Sequence, residues 1–183
     1  VIFYEPKAVY RAFREDVPDD RETLEIGRAE RVRPGEDLTL VSYGAMMRPC
    51  REAVEDLEAE HGVDVELIDL LTISPMDSET ICRSVAKTGR CLVVHEGHRT
   101  CGIASEIIAR INECAFEYLE APIRRLTGYD IPFPYFHLVK VRAGEITRTA
   151  LSLSHAHART AYLVADPPAH RAAHPLVRAH RAP

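Results

Sequence analysis

The sequence predicts an α/β fold, a parallel sheet with helices on both faces, and three observations point there. Apolar runs rich in Val, Leu and Ile recur along the chain as LTLVSYG, VDVELIDL and CLVVHE. Between them lie stretches whose apolar residues fall at helical three- and four-residue spacing. Strand, helix, strand, helix is the order that right-handed crossovers turn into a parallel sheet.

Taken in order, VIFY (Val1–Tyr4) reads as an opening strand. A chain that begins inside a strand, with neither Met nor a basic-then-apolar leader, reads as the downstream piece of something longer. Glu5-Pro6-Lys7 leads into a short helical stretch with Val9, Tyr10 and Phe13 as its apolar contacts. Residues 14–37 read as polar connection, with VPDD and RPGED as turn signals. Leu38–Gly44 is the first core strand. Met46, Cys50, Ala53, Val54 and Leu57 then mark one face of a helix over 46–60, closed at Gly62, a residue suited to a left-handed cap. Val63–Leu70 is the second core strand. Asp77 or Ser78 caps a helix running through Ile81, Cys82 and Val85 to Gly89. Cys91–Glu96 is the third core strand. A long amphipathic helix spans about 102–118, and Ile123–Thr127 supplies a fourth strand before the proline-broken DIPFPYF.

The domain is expected to end near residue 140. Residues 141–183 hold five of the nine histidines and are dominated by Ala, Arg, His and Pro. A short helix is expected over 146–153, but the tail as a whole is expected to be largely disordered.

At 183 residues, 46% hydrophobic and 28% charged, the composition is that of one globular domain, and no apolar run approaches the roughly 20 residues of a membrane helix. The net charge of −5 combines +4 on residues 141–183 with −9 on residues 1–140. An acidic domain of that kind argues against nucleic acid as its partner. Five scattered cysteines, without a C-x-x-C pair, favour reduced thiols and a cytoplasmic setting.

The densest chemistry lies in VVHEGHRTCG, Val93–Gly102. His95-Glu96-Gly97-His98 resembles a zinc motif, but the zincin arrangement needs His at i and i+4 on one helical face. Here the fifth residue is Arg99 and the segment is a strand end. Arg99-Thr100-Cys101-Gly102 runs into a helix N-terminus, which favours anions. Cys101 could there be an activated thiol, although an inert cysteine is the ordinary case. His155, His157, His170 and His174 of the tail are read as compositional and not as metal ligands. No Gly-rich phosphate cradle is present, so the residues alone give a fold without catalytic machinery. They leave His95, Glu96, Arg99 and Gly102 as an interface loop at the carboxyl edge of the sheet, where α/β sheets usually meet ligands and partners.

VIFYEPKAVYRA, DLTLVSYGAMM, the long run VELIDLLTISPMDSETICRSVAKTGRCLVVHEGHRTCGIASEI and AFEYLEAPIRRLTGYDIPFPY resemble the carboxyl-terminal half of 2-oxo acid dehydrogenase beta subunits. The wording is nearest the branched-chain (2-oxoisovalerate) group, notably in TICRSV, TGRC and GYDIPFP. The resemblance covers residues 1–137. It implies a transketolase carboxyl-terminal domain, a parallel five-stranded α/β unit that assembles with an alpha subunit, a second beta subunit and the subunit-binding domain of a lipoyl acyltransferase. The parent enzyme would use thiamin diphosphate and magnesium. This chain alone would bind neither and would hold no catalytic residue, because the activating glutamate belongs to the amino-terminal half.

Glu120, directly before Ala121-Pro122, matches an acid of the family's docking surface. The family's IDLRT and HEAPRTGG differ here at Leu71 and Cys101, and the Cβ of Cys101 falls where close backbone approach or a positive φ is expected. The family's ending also differs: its acidic-aromatic segment and final helix give way to the histidine-rich tail. The location implied is the cytoplasm of a bacterium or the mitochondrial matrix of a eukaryote. A free-standing α/β module that binds an anion or partner at Arg99–Gly102 is the alternative.

Overall fold

The fold is that of a computed structural model, which describes residues 1–131 apart from 13, 15 and 17–22, and residues 143–154. Strands β1 (Glu30–Arg33), β2 (Leu38–Ser42), β3 (Val65–Asp69), β4 (Cys91–His98) and β5 (Arg124–Gly128) form one sheet in the order β1-β3-β2-β4-β5. The pairs β2–β3, β2–β4 and β4–β5 are parallel, whereas β1 runs antiparallel to β3. Helices α1 (Met47–His61), α2 (Ser78–Thr88), α3 (Ile103–Ala115) and α4 (Ala143–Ser154) cover it.

Strand periodicity builds the two cores. Leu38, Leu40, Leu92 and Val94 point to one face, where they pack with Cys50, Ala53, Leu57, Ile146 and Ala150 of α1 and α4. Val41, Cys91 and Val93 point to the other, against Ile81, Val85, Ile107 and Ile111 of α2 and α3. A central strand buried on both faces therefore reads as a continuous apolar run, the signal visible in the sequence. Each fully buried Leu or Ile contributes roughly 1.5–3 kcal/mol.

The helix ends follow local chemistry. Gly62 and Gly89 close α1 and α2 at φ 64° and 68°, a left-handed conformation that costs glycine little. Asp77 caps α2 by accepting from the Thr80 N–H at 3.0 Å. Burial opposes charge on Asp77, but its bonds from the Ala29 and Thr80 N–H groups outweigh this and hold the carboxyl below the usual range.

Four expectations change. VIFY is no strand: Val1, Ile2, Phe3 and Tyr4 are all exposed, because strand propensity forms no ladder without a neighbour to pair with. A short helix does follow, at Lys7–Val9, although Tyr10 is 60% exposed, its hydroxyl donating to Glu5, and Phe13 lies outside the described residues. The stretch read as polar connection contains β1, whose sequence ERVR carries no apolar run because it is a charged edge strand. With β1 antiparallel, the sheet is mostly and not wholly parallel. Finally, Cys82 and Cys114 form a disulfide between α2 and α3, with Cα atoms 6.1 Å apart, so this pair departs from the expectation of reduced thiols. The two are 32 residues apart in sequence, and only the packing of α2 on α3 brings them within bonding range.

The expected 146–153 helix is α4, and its Ile146 and Ala150 are wholly buried against α1. The remainder of 141–183, with all five tail histidines, lies outside the described residues. Among the described residues no helix is long and apolar enough to cross a membrane.

Candidate functional site

Parallel strands end together, so the carboxyl ends of β2, β3, β4 and β5 bring Tyr43, Leu71, the 95–102 loop and Tyr129-Asp130 to one edge of the sheet. Loops at that edge are free to vary while the core strands hold them in place.

The loop is fastened to β5 and to the segment that follows it. The Thr100 N–H and hydroxyl donate to the two Asp130 carboxylate oxygens at 2.9 and 2.6 Å. Those two bonds hold the Asp130 carboxyl below the usual range. His98 Nε2 lies 2.7 Å from the Ile131 carbonyl. Arg125 donates to the Arg99 carbonyl at 3.1 Å and to Ser105 Oγ at 2.7 Å. Gly128 is required where the strands close up, because a Cβ there would sit 3.1 Å from the Gly97 carbonyl oxygen and nearer still to that of Glu96.

His95 sits differently. It is 1% exposed, its ring stacks on Tyr43 with centroids 6.4 Å apart, and neither ring nitrogen has a hydrogen-bond partner. Burial, with the Arg125 charge adding to it, pushes the imidazole below its ordinary pKa. Glu96 is half-buried; its charge and, more strongly, burial raise the Tyr43 phenol. Arg99 is exposed and Gly102 is the N-cap of α3, with no side chain capping the helix.

The zinc-like reading of HEGH thus dissolves into two roles: His98 ties the loop down, while His95 lies beneath it. Among the described residues no group of three His, Cys, Asp or Glu side chains converges as a metal site. Cys101 is an exposed free thiol at φ 57°, the left-handed conformation anticipated where the family places glycine. Leu71 is likewise left-handed at φ 53°. Burial pushes the thiols of Cys50 and Cys91 up to about 12, which leaves both inert at neutral pH.

Glu120 lies elsewhere, after α3. Its carboxylate pairs with Arg90 at 2.6 Å, yet its side chain is 58% exposed. Phe116 and Tyr118, 68% and 57% exposed, stand just before it in a short 3-10 turn. Sequence reasoning missed Tyr43, Arg125 and Asp130, because each meets the loop across a long sequence separation.

The chain is similar to known proteins over most of its described length. It is 48% identical over 134 residues to the mitochondrial 2-oxoisovalerate dehydrogenase subunit beta of Dictyostelium discoideum, a match covering 73% of this chain and 36% of that protein. It is 43% identical to the pyruvate dehydrogenase E1 component subunit beta of Bacillus subtilis, covering 74% of this chain and 41% of the relative. The chain therefore spans well under half the length of the curated relatives it matches. Among solved structures, a split-gene transketolase described as an inactive beta4 tetramer shares the fold, with a TM-score of 0.60 at 24% identity over 76% of this chain and 46% of that one. A family model for the transketolase C-terminal domain matches residues 27–142, and the chain belongs to that family.

Proposed function

We propose that this chain is the carboxyl-terminal assembly and docking domain of the beta subunit of a thiamin-diphosphate-dependent branched-chain 2-oxo acid dehydrogenase. The observation that carries the beta-subunit reading is the 48% identity over 134 residues to a 2-oxoisovalerate dehydrogenase beta subunit; a pyruvate dehydrogenase beta subunit is equally 48% identical, so the branched-chain choice rests on the TICRSV, TGRC and GYDIPFP wording. The parent enzyme would decarboxylate a 2-oxo acid and pass the acyl group to the lipoyl arm of an acyltransferase. The partners would be an alpha subunit, a second beta subunit and the acyltransferase's subunit-binding domain, in the bacterial cytoplasm or the mitochondrial matrix.

The described residues do not fit thiamin diphosphate and magnesium. Of the acids at the carboxyl edge, Asp130 is bonded by Thr100 and Asp69 by the Leu71 N–H, and Glu96 has no two further His, Cys, Asp or Glu side chains converging with it among the described residues. We derive no catalytic step through the cofactor, and the chain contributes by holding partners. Glu120, still exposed beside Arg90 and next to exposed Phe116 and Tyr118, supplies an acid with apolar flanks for a basic docking module.

The test has two parts. The 183-residue chain, supplied with thiamin diphosphate, magnesium and 2-oxoisovalerate, is expected to release no carbon dioxide; turnover by the chain alone contradicts the assignment. Glu120→Lys is expected to weaken binding of an acyltransferase subunit-binding domain about tenfold, or about 1.4 kcal/mol, in calorimetry. Unchanged affinity removes Glu120 from the docking surface.

A further inference from the structure

We propose that the Cys82–Cys114 disulfide is a redox modification site. A dithiol reductant opens it by exchange at the exposed Cys114, and the state of the bond sets how firmly the turn from Phe116 to Glu120 is held. The consequence for docking rests on the reading of Glu120 given above; the exchange itself does not.

The bond is placed to be made and broken. Cys114 is exposed and Cys82 half-buried, so a reductant reaches the pair without unfolding the chain. In the proposed cytoplasmic or matrix location, thiols are kept reduced, and the disulfides that do form there are transient ones that serve catalysis or redox sensing. The remaining cysteines do not compete. Burial pushes the thiols of Cys50 and Cys91 up to about 12. Cys101 is exposed but stands at the opposite end of α3, whose 13 residues span roughly 20 Å.

The bond also has something to control. The turn after α3 is tied to α2 at both ends. At its start Cys114, in the last turn of α3, is bonded to Cys82 of α2. At its end the Glu120 N–H donates to the carbonyl of Gly89, which closes α2, at 2.8 Å, and the Glu120 carboxylate pairs with Arg90 at 2.6 Å. Between these ties Phe116 and Tyr118 are exposed and Leu119 is only partly buried, its N–H donating to the Phe116 carbonyl at 3.2 Å. A segment with so little buried surface takes its order from its ends. Ile81, Val85, Ile107 and Ile111 pack α2 on α3 whether or not the bond is closed, so reduction frees the turn and leaves the domain folded.

In the exchange, one thiolate of the dithiol attacks Cys114 Sγ, the Cys82–Cys114 bond breaks, and Cys82 leaves as a thiolate. The second thiolate of the reductant then attacks the reductant sulfur bound to Cys114, closing the reductant's own disulfide and releasing Cys114. Two electrons and two protons pass from the dithiol to the cysteine pair, and the reductant's disulfide form reverses the steps. The Ile111 carbonyl, 3.7 Å from Cys114 Sγ, is in place to accept from the freed thiol.

The test uses the full 183-residue chain with dithiothreitol as the dithiol. The native chain is alkylated before and after brief reduction, and the labelled cysteines are mapped by mass spectrometry. Cys101 alone is expected to be labelled beforehand, and Cys82 and Cys114 in addition afterwards. Labelling of the pair before reduction, or its failure to be labelled after, overturns the site. Amide hydrogen exchange over 116–120 is expected to quicken at least about fivefold on reduction, with Leu40 and Val93 unchanged. Unchanged exchange over 116–120 overturns the control of the turn. Cys114→Ser is expected to exchange as the reduced wild type does; a Cys114→Ser chain that still responds to dithiothreitol overturns the proposal as well. An acyltransferase subunit-binding domain is expected to bind the oxidised chain roughly fivefold more tightly than the reduced one, because an ordered turn costs less to bind. Equal affinity in the two states, with Glu120→Lys still weakening binding, overturns the redox control of docking. Glu120→Lys without effect in either state removes the docking surface instead, and the labelling and exchange results then decide the site.

Discussion

The two ends of the sheet treat buried polar groups in opposite ways. At the amino end, Thr39 Oγ1 lies 2.7 Å from both Ser84 Oγ and Thr88 Oγ1, stitching β2 to α2. Buried Glu66 meets Lys87 Nζ at 2.5 Å and accepts from the Gly35 N–H. Apart from Arg90 Nε, no buried side-chain polar atom among the described residues lacks a partner there. At the carboxyl end, His95 is equally buried and has none. Polar groups at the first end hold the fold together. At the second end a polar group is kept at a cost to the fold.

The largest effect that can break this contrast lies at the amino end. Lys87→Met leaves the Glu66 carboxylate buried without its cation, and the expected loss is about 3 kcal/mol in urea unfolding. Burial alone would raise Glu66, but the Lys87 and Ser84 bonds outweigh it and hold its pKa down. A loss near zero would make the pair ornamental and dissolve the contrast.

A smaller effect of opposite sign is expected at the carboxyl end. Cys101 holds φ 57°, where an L side chain costs about 1–2 kcal/mol, so Cys101→Gly is expected to stabilise the chain by up to about 1 kcal/mol after the glycine's added chain entropy. Destabilisation would mean that the thiol makes contacts that outweigh the strain.

The smallest effect is a pH dependence. The folded pKa of His95 lies below the ordinary value of about 6.5. Above that value neither state binds the proton and His95 contributes no slope. Below it the unfolded chain takes the proton and the native chain does not, so stability falls with pH until the folded pKa is reached. Unfolding free energies measured from neutral to mildly acid pH are expected to fall more steeply for wild type than for His95→Leu. Parallel curves would mean that His95 protonates as easily folded as unfolded.

Much of the fold was legible because its signals are local. Runs such as CLVVHE identify strands buried on both faces, and Gly62, Asp77 and Gly89 mark helix ends within one turn of themselves. β1 was not legible, because ERVR on an exposed edge needs no apolar residues. VIFY misled because propensity without a pairing partner makes no strand. At the site, the sequence singled out the 95–102 loop and the strained position of Cys101. It gave no hint that His98 bonds Ile131 while neither ring nitrogen of His95 is bonded, since both facts depend on neighbours remote in the chain.

The most direct measurement sets the two ends side by side, as urea unfolding of Thr39→Val and His95→Leu at neutral pH. Thr39→Val strips a partner from both Ser84 and Thr88, and a loss of about 2 kcal/mol is expected. His95→Leu removes an unpartnered buried polar group, and its stability is expected to match or exceed that of wild type. A His95→Leu chain that loses as much as Thr39→Val would contradict the account, because His95 would then be holding the fold as Thr39 does.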